Sequence, residues 1–302
     1  LLPDYFSFVK GLVDSADLSL NISREVLQHD YQLKLIAKNI EKKIKNELAK
    51  LLKTDRDKYI KFFEAFGSQL KLGVYADFGR HSDELKDLLM FYSSTEKRLV
   101  TLGEYVDRMK DEQTSILYAC GETIDKIDML PQADSLKDKG YEVLYLTEGI
   151  DEFALKMLQR YKEKDFANIC ADDVDLDTQE EKDAINKENE TAKDMLDFMK
   201  ESLDGAVQSV RFTNKLKNHP VCLTSEGDVS VEMEKVLNSM PTNDQKVKAN
   251  IVLEINENHP IAQKLTELYE NDKEKAGKYA KILYAQARLI EGLSVDDPTE
   301  LS

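Results

Sequence analysis

An arginine and a glutamine near the start of the chain carry its clearest chemical signal. Arg24 and Gln28 lie four residues apart at a predicted helix start, and residues with this spacing share one helix face. An arginine guanidinium offers a planar fork of donors that suits phosphate oxygens, and it keeps its charge. The pair therefore indicates anion recognition, with an ordinary surface ion pair as the simpler alternative.

The helix that should carry this pair is predicted over residues 24–52, which contain neither glycine nor proline. It would be about 40 Å long. Its apolar residues recur at spacings of three and four, as in an amphipathic helix. These residues are Leu33, Ile36, Ile40, Ile44, Leu48 and Leu51. The other face carries Lys34, Lys38, Lys42, Lys45 and Lys53. We interpret these lysines as a solvated face. Further helical patterns at 57–70 and 83–92 make residues 1–95 a mainly helical unit.

Residues 101–166 alternate between strand and helix patterns. The patterns are a strand at 114–120, a helix at 124–139 interrupted at Pro131, a strand at 141–147 and a helix at 152–161. This order predicts a small parallel α/β unit. Gly121 after the first strand leaves a nucleotide site as a weak alternative, because neither G-x-G-x-x-G nor G-K-[ST] is present.

An acidic stretch at 172–190 separates this unit from a second pattern. Its many acids and few apolar residues predict a solvated connector or a polar helix. Strands are predicted beyond it at 207–213, 221–224 and 248–255, and helices at 229–240, 260–269 and 273–293. Residues 191–302 are therefore predicted to form an α+β domain that ends in helices.

Two of these helices carry apolar stripes. In the last helix, apolar residues and Gln286 follow a spacing of three and four, with small alanines between them that suit close helix packing. The second stripe, at 229–240, is rich in methionine, which adapts its shape and is common on promiscuous binding surfaces. For both stripes the alternative is core packing within one chain.

The composition restricts the classes of protein to consider. The chain has 302 residues and a formal net charge of -16, which argues against sequence-independent nucleic-acid binding. It has no apolar run of the roughly 18 residues that a membrane helix needs, and no signal-peptide pattern. We therefore expect a cytoplasmic protein with no nucleic-acid or membrane partner.

Metal, disulfide and hydrolase signatures are missing from the sequence. Cys120, Cys170 and Cys222 are odd in number and far apart, which predicts reduced thiols. The four histidines are isolated, so no metal site is expected. Neither a G-x-S-x-G elbow nor an H-E-x-x-H pair occurs, and we find no complete active site.

Four segments resemble the heat-shock protein 90 chaperone family in its bacterial form. The longest is L-L-P-D-Y-F-S-F-V-K-G-L-V-D-S-A-D-L-S-L-N-I-S-R-E-V-L-Q at 1–28. The others are G-E-Y-V-D-R-M-K at 103–110, K-G-Y-E-V-L-Y-L-T-E-G-I-D-E-F at 139–153 and V-R-F-T-N-K-L at 210–216. The resemblance therefore extends over essentially the whole chain.

This resemblance implies a role for the arginine and the glutamine. In the family, the arginine that matches Arg24 reaches the γ-phosphate of ATP held by a separate N-terminal domain, and the glutamine that matches Gln28 supports it. The resemblance implies that this sequence starts inside the family's middle domain and stops before the usual apolar tail. ATP and Mg²⁺ are accordingly expected in the full-length parent, an ATPase, and no cofactor is expected for this chain alone.

The resemblance also implies a domain order. Residues 1–171 match the C-terminal part of the family's middle domain, with a helical part at 1–95 and an α/β part at 101–166. Residues 172–190 form the acidic connector, and 191–302 match the C-terminal dimerisation domain. The implied function is a chaperone that binds unfolded or partly folded proteins, called clients below, as a homodimeric clamp.

The implied contact residues fall into two sets. The client-binding set is Phe153, Leu155, Met157, Met233, Val236, Leu237 and Met240. The dimer-interface set is Leu265, Tyr279, Ile282, Leu283, Gln286, Leu289, Ile290 and Leu293. Two alternatives are a dimeric protein-binding scaffold that does not depend on ATP and, last, a free-standing α/β enzyme at 101–166.

Overall fold

The computed structural model describes residues 1–14, 31–80, 82–171, 174, 177–240 and 246–293, without the side chains of 77 and 78. The α-helices are α1 (Tyr31–Thr54), α2 (Arg56–Tyr75), α3 (Ser82–Leu85), α4 (Leu102–Arg108), α5 (Ile124–Asp128), α6 (Pro131–Asp138), α7 (Asp151–Leu158), α8 (Gln179–Thr191), α9 (Lys193–Ser202), α10 (Val231–Ser239), α11 (Pro260–Asn271) and α12 (Lys273–Ile290). Short 3₁₀ helices lie at Asp4–Phe6, Ala76–Gly79 and Lys86–Leu88.

The strands form two mixed sheets. They are β1 (Met90–Ser93), β2 (Leu99–Thr101), β3 (Ser115–Cys120), β4 (Leu144–Leu146), β5 (Arg160–Tyr161), β6 (Lys164–Asn168), β7 (Ser209–Thr213), β8 (Val221–Glu226) and β9 (Asn250–Asn256). The larger sheet has the order β2-β1-β4-β3-β6-β5, and the smaller has the order β7-β9-β8. This mixed helix and sheet architecture confirms the predicted fold class.

The centre of the larger sheet is parallel. Tyr118 of β3 lies opposite Leu144 of β4 and Asn168 of β6, and both pairings are parallel. Strands that follow each other in parallel need a crossover connection, which α5 and α6 supply between β3 and β4. Pro131 occupies the start of α6, where its missing N–H costs nothing. The predicted parallel α/β unit and its break at Pro131 are therefore confirmed.

The chain divides into two compact units by its internal contacts. Unit 1 comprises Leu1–Phe91, Leu99–Asp107 and Ile150–Glu163, and unit 2 comprises Tyr92–Arg98, Arg108–Gly149 and Lys164–Ser302. The domain boundaries expected at 171 and 190 remain predictions.

Unit 1 is built around helix α2. The Asp55 side chain caps this helix by accepting a hydrogen bond from the Lys58 amide, and Tyr59, Phe63 and Leu70 are buried along it. Of the residues of α1, all of which the structure describes, only Leu48 is buried. The other apolar positions of the α1 stripe in this range are partly buried, and most of its lysines are exposed. The amphipathic pattern is therefore confirmed from Tyr31 onward.

The sequence-based prediction of a helix at 83–92 is wrong in its second half. The chain leaves the short helix α3 through the 3₁₀ turn and enters β1 at Met90. Leu88, Leu89, Met90 and Phe91 are all buried. A fully buried strand has no alternation of polar and apolar residues, so a short apolar run cannot be distinguished from a buried helix by its periodicity.

Unit 2 contains the smaller sheet with helices packed on it. Strands β7, β8 and β9 and helices α10, α11 and α12 confirm the strands and helices predicted beyond residue 190. Helix α8 is capped by Thr178 and Glu181, and none of its 13 residues, all described, is buried. Helix α9 was not predicted, and it buries Met195, Leu196 and Met199 in the core of this unit.

Candidate functional surfaces

The arginine and glutamine that offer the clearest chemistry lie outside the described residues. Arg24 and Gln28 belong to residues 15–30, for which no placement is given. Their assignment to a phosphate contact therefore remains a prediction from the sequence.

The first predicted client-contact residues lie on helix α7 in unit 1. This helix packs on α2, and a buried ion pair joins the two: Lys71 Nζ lies 2.6 Å from Asp151 Oδ1, with both side chains almost fully enclosed. The Lys71 ammonium also lies 5.3 Å from the ring centroids of Phe63 and Phe91. Because buried charges are costly unless paired, this ion pair fixes how α7 sits on α2.

On α7, Phe153 and Met157 lie one turn apart and are both partly exposed. The Phe153 ring lies edge-on to the ring of Tyr75, with 5.8 Å between their centroids, and Tyr75 is itself exposed. Leu155, predicted in the same set, is completely buried. The structure therefore brings Phe153 and Met157 together at a surface of unit 1, whereas Leu155 contributes packing in this conformation.

The second set of predicted client-contact residues lies on helix α10 in unit 2. Ser230 caps the helix by accepting a hydrogen bond from the Met233 amide. None of the nine residues of α10, all of which the structure describes, is buried. Met233, Val236 and Leu237 are partly exposed, and Met240, just beyond the helix, is 44% exposed. The described conformation therefore does not favour the alternative that this stripe is a core face.

A glycine that the sequence analysis did not single out lies against α10. A Cβ atom at Gly149 would come within 3.2 Å of Val236 Cγ2, so only glycine leaves this side chain unhindered. Asn238 exchanges two hydrogen bonds with the backbone of Val247, at 2.8 and 2.9 Å. These contacts hold α10 in place although it buries no residue.

The predicted dimer-interface residues of α12 divide between two faces. Leu283 is buried in the core of unit 2, together with Ala280, Tyr284 and Ala287. The exposed members are Ile282 (46%), Gln286 and Leu289 (62%). Tyr279, Ile290 and Leu293 are partly buried, and Leu265 on α11 lies in the core. The structure therefore places Ile282, Gln286 and Leu289 at an exposed helix face and gives Leu265 and Leu283 a packing role within the chain.

A carboxyl group at the end of α12 sits in an unusual environment. Gln132 Nε2 donates hydrogen bonds to Leu223 O at 2.9 Å and to Glu291 Oε1 at 3.4 Å. Burial raises the pKa of Glu291 to about 7, against the opposing effects of the Gln132 hydrogen bond and of Lys235 on α10. This contact could not be predicted from the sequence, because Gln132 and Glu291 are far apart in the chain.

The described residues contain no group of three or more histidine, cysteine, aspartate or glutamate side chains that could hold a metal ion. Within the same residues, no helix has both the length and the apolar character needed to cross a membrane.

Comparison with known proteins shows the family to which this chain belongs. A family model described as Hsp90 protein matches residues 1–302. The chain belongs to the Hsp90 chaperone family, as the resemblance predicted.

The particular relatives are bacterial. The chain is similar to chaperone protein HtpG of Clostridium botulinum strain 657, with 59% identity over 302 residues, which are 100% of this chain and 48% of that relative. It is 57% identical to chaperone protein HtpG of Bacillus subtilis strain 168, with the same coverage of both chains. The chain therefore spans about half the length of the curated relatives that it matches.

Proposed function

We propose that this chain is the part of an HtpG-type chaperone that binds client proteins and joins two subunits into a clamp. The observation that carries this proposal is the exposure of apolar stripes on two helices of unit 2. Helix α10 buries none of its residues, and α12 exposes Ile282 and Leu289 opposite its buried face.

Client binding is proposed at α10 and at the Phe153 surface of unit 1. The stripe on α10 offers methionine and leucine side chains, which can repack against many different apolar segments. Joining two such surfaces in one dimer raises the apparent affinity without any new contact, because the second binding event becomes intramolecular.

The client-binding proposal is tested by replacing Met233, Leu237 and Met240 with serine. Because the three side chains are partly exposed, the variant should stay folded, which circular dichroism checks. We expect roughly tenfold weaker binding of a fluorescently labelled unfolded protein, measured by anisotropy. Replacing Tyr31 and Leu35, two exposed apolar residues of α1, with serine is the matched control and should leave the affinity unchanged. Unaltered affinity in the α10 variant would remove this helix from client binding.

A second part of the proposal concerns Arg24. As the resemblance implies, Arg24 reaches the γ-phosphate of ATP held by an N-terminal domain in the full-length parent, with Gln28 as support. An arginine placed against the charge that develops in phosphoryl transfer contributes on the order of 10³ or more in rate. Residues of this chain would then supply only one contact to a reaction that needs Mg²⁺ and the other domain.

The role of Arg24 is tested in a protein that joins this chain to an N-terminal ATP-binding domain of the family. We expect Arg24→Ala to lower ATP turnover by on the order of 10³. Arg24→Lys should restore little, because an ammonium lacks the planar fork. Arg80→Ala, at an exposed arginine of unit 1, is the control. Equal turnover of the parent and Arg24→Ala would favour the ATP-independent scaffold.

A further inference from the structure

Strand β7 lies at an edge of the smaller sheet in unit 2. Among the described strands it pairs only with β9. Glu257, just after β9, donates its N–H to Thr213 O at 3.1 Å, so the backbone of Thr213 points to β9. Because the backbone groups of a strand alternate in direction, those of Arg211 also point to β9, and those of Val210 and Phe212 point away from it. An edge of this kind can pair with an extended segment of another chain.

A side-chain amide on helix α8 occupies this edge. Asn189 Oδ1 accepts a hydrogen bond from Phe212 N at 2.7 Å, and Asn189 Nδ2 donates to Phe212 O at 3.1 Å. The orientation of the amide is fixed, because Phe212 N can only donate and Phe212 O can only accept. A carboxamide offers the same kinds of donor and acceptor as a peptide group. Asn189 therefore takes the place that the backbone of a neighbouring strand would take.

Helix α8 covers the edge without entering the core. None of its 13 residues, all of which the structure describes, is buried. Ile185 packs against the core of unit 2 and stays partly exposed. Segments with few buried apolar contacts open at a low cost in free energy. We therefore expect α8 to leave the edge more readily than the sheet itself opens.

Two carboxylates oppose the position of α8 on this edge. Glu188 of α8 is near enough to Glu257 for its charge to act on it. Burial, and then repulsion by the Glu188 carboxylate, raise the pKa of Glu257. This repulsion weakens the contact of α8 with the end of β9, whereas a basic side chain at the same place would be attracted.

We propose that the β7 edge is a further binding site for unfolded proteins, where an extended segment with apolar and basic residues replaces Asn189 and adds a strand to the sheet. Main-chain hydrogen bonds supply the affinity in this mode of recognition, so many sequences can bind. The class of occupant rests on the proposed chaperone function. The site itself shares no residue with the α10 stripe or with the Phe153 surface.

A short labelled peptide of alternating valine and threonine, with a lysine at each end, tests the site on the full chain. We expect Asn189→Ala to bind this peptide roughly tenfold more tightly than the parent, because the side chain no longer competes for the edge. Alanine favours a helix more than asparagine does, so α8 should keep its helical form. Asn186→Ala, at an exposed asparagine of the same helix, is the matched control. Equal affinities of the parent and Asn189→Ala would overturn the proposal.

Amide hydrogen exchange, followed by NMR in the parent and in Asn189→Ala, shows where the peptide pairs. Bound peptide should slow the exchange of Val210 and Phe212, whose amides point to the edge, and leave that of Arg211 unchanged. A peptide methylated at every backbone nitrogen cannot donate hydrogen bonds and should not bind. Slowed exchange without this alternation, or binding of the methylated peptide, would contradict strand addition.

The charge on α8 gives an opposite test. In Glu188→Lys the new ammonium group should attract Glu257 and hold α8 on the edge, so we expect the peptide to bind roughly threefold more weakly than it does to the parent. Glu190→Lys, at an exposed position of the same helix, makes the same change in net charge and controls for repulsion of the basic peptide. Equal losses in the two variants would contradict the displacement of α8.

The α10 variant with serine at Met233, Leu237 and Met240 separates this site from the proposed client surface. It should bind the labelled peptide as the parent does, because α10 takes no part in the pairing. Peptide binding that depends on Asn189 would support the edge site even if α10 has no role in client binding. Loss of peptide binding in a folded α10 variant would overturn the edge site and leave the α10 proposal standing.

Discussion

Helices α10 and α12 of unit 2 both carry apolar stripes, but they differ in how much of the stripe is buried. Helix α12 buries Leu283 and its alanines in the core and leaves Ile282 and Leu289 outside. Helix α10 buries nothing and is held by its N-terminal cap, by Asn238 and by the contact of Val236 with Gly149. The same apolar spacing of three and four residues can therefore occur in a helix that contributes side chains to the core and in a helix that contributes none.

This difference in burial predicts which residues of the two helices affect the stability of unit 2 and which affect binding. A residue on the inner face of α12 should determine whether unit 2 folds, whereas residues on its outer face and on α10 should affect association with other molecules. Exposed apolar stripes of this kind are typical of interaction surfaces. Substitutions on each face can therefore be assigned to one effect or the other.

The largest expected effect is at Leu283, on the inner face of α12. Leu283→Ala removes buried methyl groups and leaves a cavity, so we expect a loss of about 3 kcal/mol in the free energy of unfolding. Urea denaturation of the full chain measures this loss. Leu289→Ala, on the exposed face of the same helix, should change the free energy of unfolding by no more than about 0.5 kcal/mol. Similar losses for both variants would mean that α12 has no distinct inner and outer face.

The next effect concerns association of two chains. Ile282→Glu combined with Leu289→Glu places charge on the exposed face of α12 without touching the core. If two chains pair through this face, the dimer dissociation constant measured by sedimentation equilibrium should rise by about a hundredfold, or about 2.7 kcal/mol.

The control for dimerisation is Lys264→Glu on α11, at an exposed ion pair. Its dissociation constant should stay close to that of the parent. Point variants are preferable to removing residues 278–302, because that deletion would also remove Leu283 and Tyr284 from the core. An unchanged dimer in the double variant would move the interface away from this face.

The smallest effect is at Glu291, where the end of α12 approaches Lys235 and Glu232 of α10. The folded chain raises the pKa of Glu291 from 4.5 to about 7, so it holds the proton more strongly than the unfolded chain does. The free energy of unfolding therefore falls as the pH rises from the unfolded pKa to the folded one, and it stays lower above.

Glu291→Gln removes this pH-dependent loss. The variant should be more stable than the parent by about 2 kcal/mol or less at about pH 8, and similar to it at about pH 5. Denaturation at the two pH values measures the difference. Glu267→Gln on α11, at an exposed carboxylate, should show no such dependence. A stabilisation that is equal at both pH values would exclude titration of Glu291 as its cause.

Most elements of unit 2 could be predicted from the sequence, because their patterns are local. The interruption predicted at Pro131 is where helix α6 begins, and helix α11 begins at Pro260, where the helical pattern at 260–269 was predicted to begin. Strand β6 could not be predicted, since Lys164, Asp165 and Asn168 are poor strand residues. It becomes a strand because β3 offers it a parallel partner.

The predicted contact residues show the same limit. Periodicity indicated that α12 is amphipathic, but it could not say which of Leu283 and Leu289 faces the core. The resemblance also placed Leu155 in the client-binding set with Phe153, although the packing of α7 on α2 buries Leu155 completely and leaves Phe153 partly exposed. Which side of a helix is buried depends on where the neighbouring elements lie. The sequence of a single helix does not contain that information.

By itself the sequence determined the family, the mixed fold and the two apolar stripes, because motifs, propensities and periodicity depend on residues close together in the chain. Only the tertiary structure decided that α10 stays outside the core, that Gln132 joins Leu223 to Glu291, and that Asn189 binds the edge of β7. These facts depend on contacts between residues far apart in the chain, and burial and charge at such contacts are set by the fold as a whole.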